Sequence, residues 1–89
     1  MKENNKITQG TRLNDNVTKL ERGEYSKQSN GTWFLCLPTG IHATINNEIW
    51  KITEHENNTI TVTPSINTTS HNPEYNWHGY LENGIFREC

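Results

Sequence analysis

Long hydrophobic runs are missing from this sequence, and no stretch approaches the ~18 consecutive apolar residues of a membrane-spanning helix. Apolar side chains make up only 30% of its 89 residues, against ~45–50% in ordinary globular domains. A core that thin usually needs a metal, a disulfide or a partner chain to hold it. Cysteine occurs only twice, and the opening MKENNKITQGTRLNDN has no apolar segment of the kind a secretory signal carries. The expectation is a cytoplasmic protein, in which two cysteines read as thiols or metal ligands before a disulfide. Charge of either sign is also scarce in excess. Eight Lys and Arg are set against ten Asp and Glu for a net charge of −2, which disfavours nucleic-acid binding by counterion release. No Gly-rich phosphate loop is present, no Ser-His-Asp order stands out, and no two carboxylates are placed as acid and base. The sequence singles out no catalytic residue, and the expectation is a protein that is not an enzyme.

What the chain does have is turns. The low net charge and the aromatic content of 9% favour folding over disorder. Residues 1–16 are polar and unpatterned and read as a flexible arm that docks at most through Ile7 or Leu13. Residues 17–89 read as one small β domain. Asn83-Gly84 is a strong hairpin signal, because a type I′ turn needs positive φ at both central residues. A two-residue loop there sets Glu82 against Ile85, Leu81 against Phe86, Tyr80 against Arg87 and His78 against Cys89. Asn30-Gly31 gives a second two-residue signal. Pro38-Thr39-Gly40 reads as a three-residue loop with Gly in the left-handed position, pairing Leu37 with Ile41, Leu35 with Ala43 and Trp33 with Ile45. The same register pairs Cys36 with His42 on the other face. Between these lies IWKITEHENNTITVTPSI, where a loop at Glu56-Asn57-Asn58 sets Ile52 against Val62 and Glu54 against Ile60. Pro64 suits an edge or a strand end, and residues 66–76 read as an irregular polar loop. The fold class expected is all-β, a meander of antiparallel hairpins. Its core is Trp33, Leu35 and Leu37 with Trp50, Trp77, Leu81 and Phe86.

Directly opposed residues on one face have Cβ atoms ~4.5–5.5 Å apart, a workable separation for two ligands of one metal ion. Cys36 with His42 and His78 with Cys89 therefore make a Cys2His2 set, the donor chemistry of a closed tetrahedral zinc site. Zinc in such a site is structural and would pin two hairpins together. Two rival readings stand beside it: two buried thiols with incidental histidines, and a Cys36–Cys89 disulfide. His55 and His71 fall in loops, where solvent exposure is expected. Tyr80 opposite Arg87 reads as a cross-strand cation–π pair, or as part of a binding surface.

The segments CLPTGIH, TITVTPSI and WHGYLENGIFREC, in that order, resemble a group of small phage and prophage proteins of unknown function. That group carries a cysteine–glycine–histidine knuckle, a strand like TVSPSI, and an ending with WHG, a D/N-G turn and a final cysteine. Some of its members bear the label ammonia monooxygenase, which nothing in these residues supports. The resemblance covers about residues 32–89, and it implies recurring positions at Cys36, His42, His78 and Cys89. This sequence departs from relatives with a second cysteine in the knuckle, having Leu37 and Pro38 there.

The leading functional expectation is a phage accessory interaction protein, a zinc-pinned β domain in the cytoplasm of an infected bacterium. It would bind and inhibit a host protein as an anti-defence factor, with Tyr80 and Arg87 on the contact surface. The alternative is a homo-oligomeric binder of a small ligand or signalling nucleotide, contacted by Arg12, Arg22, Arg87 and Tyr80. A metal-dependent hydrolase is a third class, and it would require one ligand position open to water.

Overall fold

The computed structural model describes residues 6–89. Nine strands are formed among them: β1 Ile7–Gln9, β2 Thr11–Arg12, β3 Glu24–Lys27, β4 Trp33–Cys36, β5 His42–Ile45, β6 Lys51–Glu54, β7 Ile60–Thr68, β8 Trp77–Glu82 and β9 Ile85–Glu88. One turn of 3-10 helix, Pro73–Tyr75, is the only helical element among the described residues. Among the described residues no helix is long and apolar enough to cross a membrane. The expected all-β class is what is found.

The strands make two sheets. One has the order β1-β9-β8-β7-β6 and the other β2-β3-β4-β5. Period-two alternation sends Tyr25, Trp33, Leu35, Leu37 and Ile45 inward from the four-stranded sheet. Ile60, Val62, Ile66, Trp77, Leu81 and Phe86 meet them from the other. Six of the seven core residues read from the sequence are buried, and the seventh, Trp50, is partly buried and packs against them. Aromatic rings run through this core as a chain: Trp33 against Tyr25 at 6.2 Å between centroids, Tyr25 against Phe86 at 6.3 Å, and Phe86 against Trp77 at 5.9 Å. The last two contacts are edge-to-face, the arrangement that ring quadrupoles favour. Burial among these rings pushes the Tyr25 phenol's pKa up.

Three hairpins have the register that their turn residues dictate. Asn83 and Gly84 both take positive φ, 50° and 78°, and Tyr80 opposes Arg87. Gly40 has φ 97° and Leu35 opposes Ala43. Asn58 has φ 72° and Ile52 opposes Val62. The fourth differs by one residue. Lys27 opposes Trp33, and the Gln28 amide donates to the Thr32 carbonyl, so the loop is Ser29-Asn30-Gly31. Only Gly31 has positive φ there, which fits a turn followed by a left-handed glycine and not a type I′ pair.

The N-terminal segment is also more than an arm. Residues 7–12 form β1, antiparallel to β9, and β2, parallel to β3. The chain passes from one sheet to the other at Gly10, whose N–H donates to the Gly84 carbonyl at 2.8 Å. A Cβ at Gly10 would stand 2.5 Å from that same oxygen, so only glycine allows the approach. Residues 1–5 of the expected arm lie outside the described residues, and the first strand begins at Ile7.

Ion pairs span the sheets at one edge. Glu54 of β6 meets Arg12 at 3.2 Å and Lys27 at 2.8 Å, and both cations lie over the Trp33 ring. The hydrogen bond from Lys27, helped by the charges of Lys27 and Arg12, holds the Glu54 carboxyl below its usual range. A carboxyl depressed in the folded state stabilises fully above its unfolded pKa, and that share is lost as pH falls through the acidic range. Glu54→Gln should therefore flatten part of the acid side of a melting-temperature profile, by a small amount because the pair is exposed. Phe86→Ala should cost ~3–5 kcal/mol in chemical denaturation, a large part of the stability of a domain this size. Phe86→Leu should cost clearly less.

Candidate functional site

The strand β8 reads Trp-His-Gly-Tyr-Leu-Glu, and its burial alternates without a break. Trp77, Gly79 and Leu81 face the core, so His78, Tyr80 and Glu82 stand on the outer face of the five-stranded sheet. The turn at Asn83-Gly84 carries this alternation to β9, and the Cys89 amide donates to the His78 carbonyl at 2.9 Å. His78 and Cys89 are therefore opposed, as the turn requires.

The neighbour on the other side, β7, is not regular. Val62 opposes Leu81 and Ile66 opposes Gly79, so Thr63, Pro64 and Ser65 lie across from the single residue Tyr80. This is a bulge with two extra residues. Pro64, which the sequence suggests for an edge or strand end, sits inside a nine-residue strand at that bulge, a place where a missing N–H is tolerated. An even number of extra residues preserves parity. Ile66 returns to the core, and Ser65 stays on the outer face, diagonal to His78. The result is a hydrogen-bond contact between Ser65 Oγ and His78 Nε2 at 3.1 Å. The Ser65 carbonyl accepts from Trp50 Nε1 at 3.3 Å, which fixes the bulge from its other flank.

Ser65 with His78 is the one serine–histidine pair in hydrogen-bond contact among the described residues. Ser26 is fully buried and its hydroxyl donates to the Val17 carbonyl. His55 is not free in solvent as expected but half-buried, with Nε2 2.7 Å from Thr61 Oγ1. Thr61 is held by the hairpin turn, accepting from the Asn83 amide at 2.9 Å, so that pair is architectural. No carboxylate is bonded to His78 among the described residues, and Asn67 is the residue directly opposite it. A serine hydroxyl that donates to a neutral imidazole is poised to lose its proton to that ring as it attacks a carbonyl.

The four residues read as zinc ligands are not brought to one point. Cys36 and His42 are opposed in the four-stranded sheet, His78 and Cys89 in the five-stranded one. No three His, Cys, Asp or Glu gather as a metal group among the described residues. Turn geometry sets partners within a hairpin, but not which hairpins face each other. Cys36 is buried, with Sγ near the carbonyls of Leu37 and Gly40, and burial pushes its thiol pKa up. Cys89 is exposed, and both thiols are free, so no disulfide joins them.

Tyr80 and Arg87 do oppose each other on the outer face, beside His78. The cation–π contact expected between them is absent, and Arg87 Nε instead lies 3.6 Å from Glu82 Oε1. Arg12 is taken up by Glu54, Asp15 and the Trp33 ring. Arg22 lines a cleft with Thr39 and Tyr75, away from the outer face of β8. Sequence reasoning missed Ser65 although its segment, TITVTPSI, was in view. The signal was a proline followed by a serine inside an otherwise continuous strand pattern, which marks a bulge and a re-aimed side chain.

The family described as "Bacterial ubiquitination-like system serine protease (BubE)" matches residues 8–89 of this chain. No curated protein and no solved structure matches it.

The thiols should separate in a titration with a disulfide reagent. One thiol per native chain should react quickly, Cys89, and the second only on denaturation. Two protected thiols in the native protein, released by a zinc chelator, would restore the four-ligand metal site.

Proposed function

The chain belongs to the BubE family, and from that we propose that it is a serine hydrolase that cleaves an acyl bond of a ubiquitin-like protein, with Ser65 as nucleophile and His78 as general base. The observation that carries this reading is the 3.1 Å contact between Ser65 Oγ and His78 Nε2 on an open sheet face. In this mechanism His78 presents an unprotonated Nε2, with its proton on Nδ1. Ser65 Oγ attacks the carbonyl carbon of the scissile bond as its proton moves to Nε2. The resulting imidazolium gives that proton to the leaving group, an amine or an alcohol or thiol, and an acyl-serine remains. Water then attacks the acyl carbon, passing one proton to His78, and Ser65 leaves with that proton restored.

Several features support the assignment beyond the pair itself. Ser65 is held by its backbone on both flanks, by the Trp50 indole at its carbonyl and by the β7–β8 ladder that resumes at Ile66. A nucleophile fixed on strands keeps its geometry better than one on a mobile loop. Tyr80 and Arg87, read from the sequence as a partner surface, flank His78 on the same face, so a protein substrate bound there would contact them. Recognition of a protein and turnover are then one event, and the interaction surface expected from sequence becomes a substrate surface.

Two variants and one probe test the reading. Wild-type protein should be labelled by a fluorophosphonate at one site, and peptide mapping should place the adduct on Ser65. Ser65→Ala should abolish labelling, and His78→Gln should slow it by ~10²-fold or more. Both variants should melt within a few degrees of wild type, since the two side chains lie outside the core. Labelling that survives Ser65→Ala overturns the assignment.

A further inference from the structure

The strand that carries Ser65 has an open side. β6 pairs with β7 only from Ile60 to Thr63, where Lys51 is the last partner. Beyond that point the chain turns away, and the Trp50 amide donates to the Asn46 carbonyl at 3.2 Å. From Pro64 to Thr68, β7 has β8 on one side and, among the described residues, no strand on the other. Such an edge is a template for a further strand.

Which backbone groups face the open side follows from the turn. A two-residue hairpin makes Glu82 and Ile85 a hydrogen-bonded pair, so Tyr80–Arg87 and His78–Cys89 are hydrogen-bonded pairs too. The 2.9 Å bond from the Cys89 amide to the His78 carbonyl agrees. The backbone groups of Trp77 and Gly79 therefore point to β7, at Thr68 and Ile66. Alternation then turns the N–H and C=O of Asn67, and the carbonyl of Ser65, to the open side. Trp50 Nε1 already occupies the Ser65 carbonyl, which leaves Asn67 as the residue with both groups to offer. The edge leads on to a groove of about 520 Å³. Thr68, Thr69, Ser70 and His71 line one wall, and Ile41 and His42, at the edge of the four-stranded sheet, line the other.

We infer that the substrate is captured as an extended strand added to the edge of β7 at Asn67, with the acyl side of the scissile bond running from the groove toward Ser65. This rests on the assignment of Ser65 as nucleophile. A segment entering from the Thr68 end and reaching Ser65 runs antiparallel to β7. In that direction the residue opposite Asn67 lies two before the residue opposite Ser65. The third residue from the scissile bond therefore exchanges two backbone hydrogen bonds with Asn67, and the second residue turns its N–H away. Ile49, next to Trp50 in sequence and 68% exposed, offers an apolar contact at the same flank. The substrate class that fits is an unfolded, extended tail, recognised first through its backbone. That chemistry suits the flexible terminus of a ubiquitin-like protein and excludes a folded loop or a helix.

A library of acetyl-tetrapeptide aminocoumarin amides, mixed at every position, gives the test, together with two counterparts N-methylated at the third or the second residue. Wild-type protein should hydrolyse the unmodified library. Methylation at the third residue should lower kcat/KM tenfold or more, and methylation at the second should change it less than threefold. Asn67→Pro, which removes the edge donor without touching the β8 ladder, should lower hydrolysis similarly while fluorophosphonate labelling of Ser65 stays near wild type. Equal sensitivity to the two methyl groups overturns the strand proposal, as does labelling without hydrolysis of the library. Both of those outcomes leave Ser65 and His78 standing. Absence of labelling in the wild type overturns the nucleophile assignment and this inference with it.

Discussion

The edge-to-face contact of Tyr25 with Phe86 is where the two sheets of this domain become one structure. Each sheet on its own has an apolar face of five or six side chains, too little to keep a meander folded in water. The ring pair joins them at the centre, and its neighbours extend the contact to Trp33 on one side and Trp77 on the other. Four aromatic side chains thus do much of the work that a larger aliphatic core does elsewhere, since each buries a large area and orients its neighbour. Half of the chain's eight aromatic residues are placed here, Tyr25, Trp33, Trp77 and Phe86. The same economy leaves the outer faces to polar chemistry.

The division between inside and outside is sharpest on β8. Trp77 closes one end of the aromatic chain, and the next residue, His78, points the opposite way toward Ser65. The position of the imidazole is thereby set by the packing of an indole one residue before it. On β7 the bulge performs the matching adjustment. Without it Ser65 would lie directly opposite His78, and Ile66 would fall against Trp77 in a shifted ladder. With it Ile66 packs against Gly79 in register, and the serine sits diagonally, within hydrogen-bond reach of the ring.

Much of this was legible in the sequence because it is local. Turn residues with positive φ fix the register of a hairpin within a few positions, so the pairs Cys36–His42, Ile52–Val62 and Tyr80–Arg87 follow from Gly40, Asn58 and Asn83-Gly84. Burial of Trp33, Trp77 and Phe86 follows from alternation. What was not legible is how hairpins meet. The β7–β8 connection runs through residues 69–76, with no short turn to set its register, and alternation alone does not reveal a bulge at Pro64 that leaves Val62 and Ile66 on the same face. The diagonal placement of Ser65 against His78 depends on that long-range register. The zinc reading shows the same limit from the other side, because two correct local pairs gave no information on the distance between them. The strands at Ile7–Gln9 and Thr11–Arg12 were hidden for a related reason. They are two or three residues long and take their partners from opposite ends of the chain.

The crossing at Gly10 has a kinetic side. It couples β1, whose partner β9 comes from the far end of the chain, to β2, whose partner β3 lies nearby. During synthesis the four-stranded sheet has all its strands once β5 is made, yet β1 must wait for the last residues to emerge. Contacts of such long sequence separation close late and slow the approach to the native state. Until then the apolar face of β3 and β4 has no second sheet to cover it. The polar surface and scarcity of apolar residues also limit what an incomplete chain exposes to aggregation.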